Sequence, residues 1–140
     1  MAQQDLREFF RQRQQKYDSH DPAALAADHT ADGTVSSPMF PRVNGASAIE
    51  RSYRMLFTTF PDWQIQLQEA IVDGDRAAQV FKAHATHLGD FMGIHGSGRR
   101  FELNGVLIYR MQDRLIAEEY RIYDFTALLI QLGILRAKPL

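Results

Sequence analysis

The spacing of apolar residues changes period along this chain, and each change marks a new kind of element. Leu6, Phe9, Phe10, Arg13 and Tyr17 recur at helical intervals with glutamines and arginines between them, predicting a helix from about Gln3 to Asp18. Asp21-Pro22 restarts the chain with a capping carboxylate and a proline at the first helical position, ahead of a short helix over Ala23–Asp28. A short strand is expected at Thr34–Ser37 and a turn at Asn44-Gly45. Ser47 and Glu50 read as a capping box before a third helix, whose stripe is Ile49, Tyr53, Leu56, Phe57 and Phe60, ended by Pro61. From Trp63 the period is two: Trp63, Ile65 and Leu67 alternate with glutamines as a half-buried strand. Asp73-Gly74-Asp75 signals a hairpin into a long strand from about Arg76 to Leu88. A glycine-rich loop leads to a strand from about Arg99 to Met111, and Gln112-Asp113 turns the chain into a last strand from Leu115 to about Tyr123. Phe125–Leu132, closed by Gly133, completes the pattern as a helix. Helices followed by a four-strand meander define an α+β class. The expected architecture is a cone-shaped, curved antiparallel sheet packed on the N-terminal helices, with a cavity between them.

Length and charge narrow the function. At 140 residues the chain has room for one domain, taken as 1–140, and its size allows a pocketed core. With a net charge of -1, clustered basic footprints for nucleic acid or a membrane surface are not expected. Zero cysteines exclude disulfides, thiolate metal sites and a cysteine nucleophile. The polar start, Met1-Ala2-Gln3-Gln4-Asp5, and the lack of any run near the ~20 apolar residues of a membrane span point to a cytoplasmic location.

Candidate chemistry lies near strand ends. His84 and His87 are three apart in a strand, so their side chains leave opposite faces and cannot share one metal ion without a bulge. Phe81, Ala83 and Ala85 share the face of His87, and the mix of small and aromatic residues makes that face the inner one. His87 is then either a core histidine with a partner or a pocket group. On the last strand Ile116, Glu118, Tyr120, Ile122 and Asp124 share one parity, expected inside, and Glu119, Arg121 and Tyr123 the other. Asp124 has two readings: a buried carboxylate with a raised pKa suited to proton transfer, or the N-cap of the following helix. Glu118, about 20 Å down the strand, is too far to pair with it and is expected either to bond a neighbouring strand or to sit near the other end of the cone. Gly96-Ser97-Gly98-Arg99-Arg100 precedes a strand, not a helix, so it reads as a mobile loop at the pocket mouth and not as a phosphate loop. Tyr17 offers either packing or a hydroxyl to the cavity.

Thr86-His87-Leu88-Gly89-Asp90-Phe91-Met92-Gly93-Ile94 followed by Gly98-Arg99-Arg100 resembles the loop motif of the SnoaL-like polyketide cyclases. Phe60-Pro61-Asp62, Gly105-Val106 with Ile108-Tyr109-Arg110, Ile116 to Glu119, and Asp124 with Leu128-Leu129-Ile130-Gln131-Leu132-Gly133 extend the resemblance over nearly the whole chain. It implies the NTF2-like (cystatin-like half-barrel) fold and acid/base ring closure of a hydrophobic carbonyl compound without metal or cofactor. It further implies Asp124 as acid/base, His87 as the loop histidine, and a homodimer through the outer sheet face. Two departures bear on the substrate: His95-Gly96 with Ser97 stands where the family often has two prolines before Thr-Gly, and Tyr120 replaces its usual tryptophan.

The expected enzyme removes a proton with Asp124 and stabilises an enolate with His87, Tyr17 or Tyr120, in a pocket walled by Tyr17, Phe57, Phe81, Ala83, Phe91, Tyr120 and Ile122. The alternative is a binding or association module that holds an apolar ligand unchanged, the better description if Asp124 turns to solvent, or if its oxygens are consumed by main-chain nitrogens with no void beside them. An epoxide hydrolase-like Asp-Arg-Asp site is ranked below both, because Arg121 has the wrong parity to join Asp124.

Overall fold

The computed structural model describes residues 2–136 and 138. Its elements are α1 (Gln3–Asp18), α2 (Pro22–Ala26), β1 (His29–Ser37), β2 (Phe40–Asn44), α3 (Ala46–Thr59), β3 (Gln64–Leu67), β4 (Ile71–Asp73), β5 (Arg76–Thr86), β6 (Arg100–Gln112), β7 (Leu115–Tyr123) and α4 (Phe125–Gln131). The strands form one curved seven-stranded sheet in the order β2-β1-β7-β6-β5-β3, with β4 pairing β5. This is the expected α+β half-barrel, with two strands more than the pattern disclosed. β2 carries Pro41 and lies at the sheet edge, where a missing N–H costs no ladder bond. β4 is three residues long, too short to show a period.

The helices form for local reasons and then bury one face. Leu6, Phe10, Arg13 and Tyr17 are the buried residues of α1, and Ile49, Tyr53 and Phe57 are among those of α3. Asp21 caps α2 by accepting from the Ala24 amide at 3.0 Å, ahead of Pro22 at the first position. The capping box at Ser47 and Glu50 does not form. α3 starts after Gly45 with no side-chain cap, and Glu50 pairs with Arg54 at 2.8 Å instead.

All sheet pairs are antiparallel except β1 with β7, which run parallel. The β6–β7 hairpin turns through Asp113 and Arg114, one residue later than the sequence suggested, with φ of 50° and 66°. Two left-handed residues are what a two-residue hairpin loop requires. Partway along β7 the ladder slips: Arg110 pairs with Glu118 but Met111 with Ile116, leaving Ala117 as an extra residue. Ile116 and Ala117 are consequently both buried, and every later side chain of β7 is reversed relative to a regular strand.

Strand crowding is tightest at Gly105 on β6. A Cβ there would collide with the Ile122 carbonyl oxygen and lie 2.7 Å from the Phe81 ring. Because one obstacle is backbone, Gly105→Ala is expected to lower unfolding free energy by about 1–3 kcal/mol. A urea midpoint within 0.2 M of wild type, at an unchanged slope, would contradict that close approach.

Candidate active site

Between the concave face of the sheet and α3 lies a cavity of about 770 Å³. Phe60, Phe81, Phe101, Leu103 and Leu107 supply apolar wall, and α4 closes one side with Leu128. Its polar lining includes Tyr17 on α1, Ser37 on β1, Ser52 and Thr59 on α3, Arg121 and Tyr123 on β7, and, at exposed positions, Arg42, Asn44, Arg51 and Asp90. Asp90 is the one carboxylate lining the cavity among the described residues, and its Oδ1 lies 2.8 Å from His95 Nδ1.

Beneath the cavity floor sits a charge network centred on the buried side chains of Arg13 and Glu119. Arg13, one turn before Tyr17 on α1, donates from Nη1 to Asp28 at 2.9 Å and from Nη2 to the Tyr53 hydroxyl at 2.9 Å. Lys16 holds the other Asp28 oxygen at 2.7 Å. Glu119 accepts from Arg121 Nε at 2.5 Å, and its second oxygen lies 3.7 Å from Arg13 and 3.9 Å from His29. Burial alone would raise the Glu119 carboxyl, but Arg121, His29 and Arg13 outweigh it and hold it below the usual carboxylate range. Burial lowers His29 to about 4 against the attraction of Glu119, with Arg13 and Arg121 pushing the same way.

That depression has a sign. Above pH 6.5 His29 is neutral folded and unfolded, so its environment costs nothing. As pH falls towards 4, the unfolded chain takes a proton that the folded one refuses, and stability is lost. Acidification across this window is expected to cost roughly 3 kcal/mol, and His29→Gln to remove most of that slope. Urea titrations at pH 7, 5.5 and 4.5 check it; parallel slopes in both proteins would contradict the assignment.

Hydroxyl bonding gives the floor a direction. Tyr53 accepts from Arg13 and lies 3.0 Å from the Tyr17 hydroxyl. Tyr53 can therefore pass its own proton to Tyr17 oxygen, leaving the Tyr17 proton available to a group in the cavity. Burial, with Tyr53 and Glu119 adding to it, raises the Tyr17 pKa well above its ordinary value, so the phenol stays protonated and able to donate. Tyr123 bonds Ser37 at 2.9 Å on the same lining.

The structure divides the sequence candidates into three groups. Tyr17, Phe81 and Phe91 line the cavity as expected. His87 is inward and fully buried, and Ala83 is buried on the same face; neither lines the cavity. His87 Nδ1 lies 3.0 Å from the Ser97 hydroxyl oxygen and 3.3 Å from the Ser97 amide nitrogen, and the cavity-lining Phe60 and Phe91 rings stand 6.3 and 6.1 Å away. Phe57 packs on His20, stacked at 4.3 Å, rather than on the cavity. Three positions must be corrected. Tyr120 and Ile122 are 41% and 54% exposed on the outer face, because the bulge at Ala117 reverses their parity. Asp124 is exposed at the start of α4 and accepts the Ala127 amide at 2.9 Å: the N-cap reading describes it, and it is absent from the cavity wall. Glu118 bonds Arg110 on β6 at 3.3 Å, the neighbouring-strand role expected of it.

Sequence reasoning missed Arg121, Glu119 and the Arg13 network. One signal was present: Arg13 falls on the apolar stripe of α1, where an arginine must be paired to be buried.

The chain belongs to the SnoaL-like polyketide cyclase family, whose pattern it matches over residues 5–132. Among solved structures it is similar to AclR of Streptomyces galilaeus, provisionally assigned as a hydroxylase, at 22% identity over 99% of this chain and 91% of that one, with a TM-score of 0.83. TsrD of Streptomyces laurentii matches at 24% identity over 96% and 99% of the two chains, with a TM-score of 0.83. IdmH of Streptomyces antibioticus, provisionally assigned as a polyketide cyclase, matches at 25% identity over 90% and 96%, with a TM-score of 0.74. No functionally curated protein matches.

Proposed function

We propose that this protein is a cofactor-independent enzyme that moves protons on a hydrophobic, carbonyl-containing small molecule, by intramolecular aldol cyclisation or isomerisation. The observation that carries this reading is Tyr17 on the wall of an apolar cavity, its hydroxyl 3.0 Å from that of Tyr53, which accepts from Arg13 and so has its own proton free to give to Tyr17. A substrate carbonyl at Tyr17 gains most from that donor as negative charge develops on its oxygen. The proton acceptor is Asp90 at the rim, paired with His95. It takes the proton from carbon beside the carbonyl and the electron pair moves onto oxygen. In a cyclisation the enolate carbon then bonds to a second carbonyl carbon of the same molecule, whose π pair becomes an alkoxide that recovers the proton from Asp90. Asp124 has no part in these steps.

A passive container is the second reading, and one observation favours it: Asp124 is exposed, and all three carboxylates of the last strand and its end are engaged, Glu118 by Arg110, Glu119 by Arg121 and Asp124 by its helix. Deuterium incorporation at the activated carbon of an aryl β-ketoester, followed by NMR, separates the two. Wild type and Asp124→Asn should exchange equally fast, and Asp90→Asn about 10²-fold more slowly. A bound ketoester that exchanges no faster than in buffer would leave the container.

The same reading extends to assembly as a homodimer through the outer face of the sheet. There the paired rows Val80–Val106–Ile122 and Ala78–Ile108–Tyr120 present apolar side chains, with Val80, Tyr120 and Ile122 exposed. Light scattering after size exclusion tests it.

A further inference from the structure

We infer that the cavity selects a ligand carrying a negative charge, a hydrophobic organic acid whose anionic oxygen is held by Arg121. This rests on the cavity being the ligand site, and it adds the ionisation state of what enters. Three arginines line the cavity, Arg42, Arg51 and Arg121, against the single carboxylate of Asp90, which is already engaged by His95. Arg42 and Arg51 are exposed, and neither has an ion-pair partner among the described residues.

Arg121 is different in kind, because it lies in the wall itself. Its Nε is committed to Glu119, while Nη2 is buried without a hydrogen-bond partner among the described residues. A buried guanidinium with an unused donor is costly unless an acceptor completes it. The charges behind it do not cancel its own. Arg13, Lys16 and Arg121 face Asp28 and Glu119, which leaves one positive charge in excess on the floor. Low-dielectric walls of Phe60, Phe81 and Phe101 strengthen the attraction of that excess for an anion. Arg42 and Arg51 add the same sign at exposed positions, where they raise the local concentration of anions before entry. The remaining lining is apolar, so the body of the ligand is hydrophobic and its charge is confined to one end.

The probe is 9-anthracenecarboxylate against its methyl ester, which have the same ring system and differ in charge, titrated by calorimetry or ligand fluorescence at low salt. Wild type should bind the acid about 10-fold tighter than the ester, a preference that shrinks as salt is raised. Arg42→Gln with Arg51→Gln, both exposed positions, should weaken only the acid, by a few-fold. Arg121→Gln, made together with Glu119→Gln so that no unpaired charge is left buried, should erase the preference and leave ester affinity unchanged. Equal or tighter binding of the ester by wild type would overturn the inference while keeping the cavity as a ligand site. Failure of both probes to bind would overturn the inference and the ligand site together.

Discussion

Glu119→Ala is expected to lower the free energy of unfolding by about 3–5 kcal/mol, the range for breaking a buried ion pair from one side. Glu119 is 1% exposed and is the acceptor that Arg121 Nε uses at 2.5 Å, with Arg13 and His29 approaching its other oxygen. Without it, the guanidinium of Arg121 loses its ion-pair partner and Arg13 keeps Asp28, the Leu25 carbonyl and the Tyr53 hydroxyl. Two cations then share a low-dielectric floor with less to compensate them. The double substitution Glu119→Gln with Arg121→Gln removes both charges, so it should recover a large part of the loss, and that contrast isolates the pair from a simple packing defect. Urea unfolding of the three variants measures it. A loss below about 1 kcal/mol in Glu119→Ala would mean that the network is not the structural centre of the floor.

Tyr17→Phe is expected to slow ketoester deuterium exchange about 10²-fold while changing affinity for the unreacted ester only slightly. The hydroxyl is the last member of the Arg13–Tyr53–Tyr17 chain, and its bond strengthens when charge reaches the substrate oxygen, not before. A fall in affinity with no change in rate would make Tyr17 a binding contact. Tyr53→Phe provides an internal control, since Tyr53 acts only through Tyr17. It should slow exchange less than Tyr17→Phe and should add little on top of it.

Most of the fold was legible because hydrophobic period is a local property. α1 and β7 coincide with the spans read from spacing, Asp21-Pro22 opens α2, and Gly74-Asp75 forms the two-residue loop joining Asp73 to its partner Arg76. Less legible were elements whose stability comes from partners. β2 contains a proline and reads as loop until β1 lies beside it. β1 begins at His29 rather than near Thr34 because its first residues are held by the parallel pairing to β7, far away in sequence.

Spacing alone therefore settled the four helices and five of the seven strands, that they enclose a cavity, and that Phe81, Ala83, Ala85 and His87 turn inward. Only the tertiary structure decided which half of β7 faces that cavity. One unpaired residue at Ala117, invisible in a sequence of alternating side chains, exchanges the two faces: it sends Tyr120 and Ile122 out and brings Glu119, Arg121 and Tyr123 in. The physical reason is that a strand's side-chain period is two, so a single slip reverses everything beyond it. Burying a charge on the face thus exposed depends on partners from α1, β1 and the α2–β1 junction, which no local window contains.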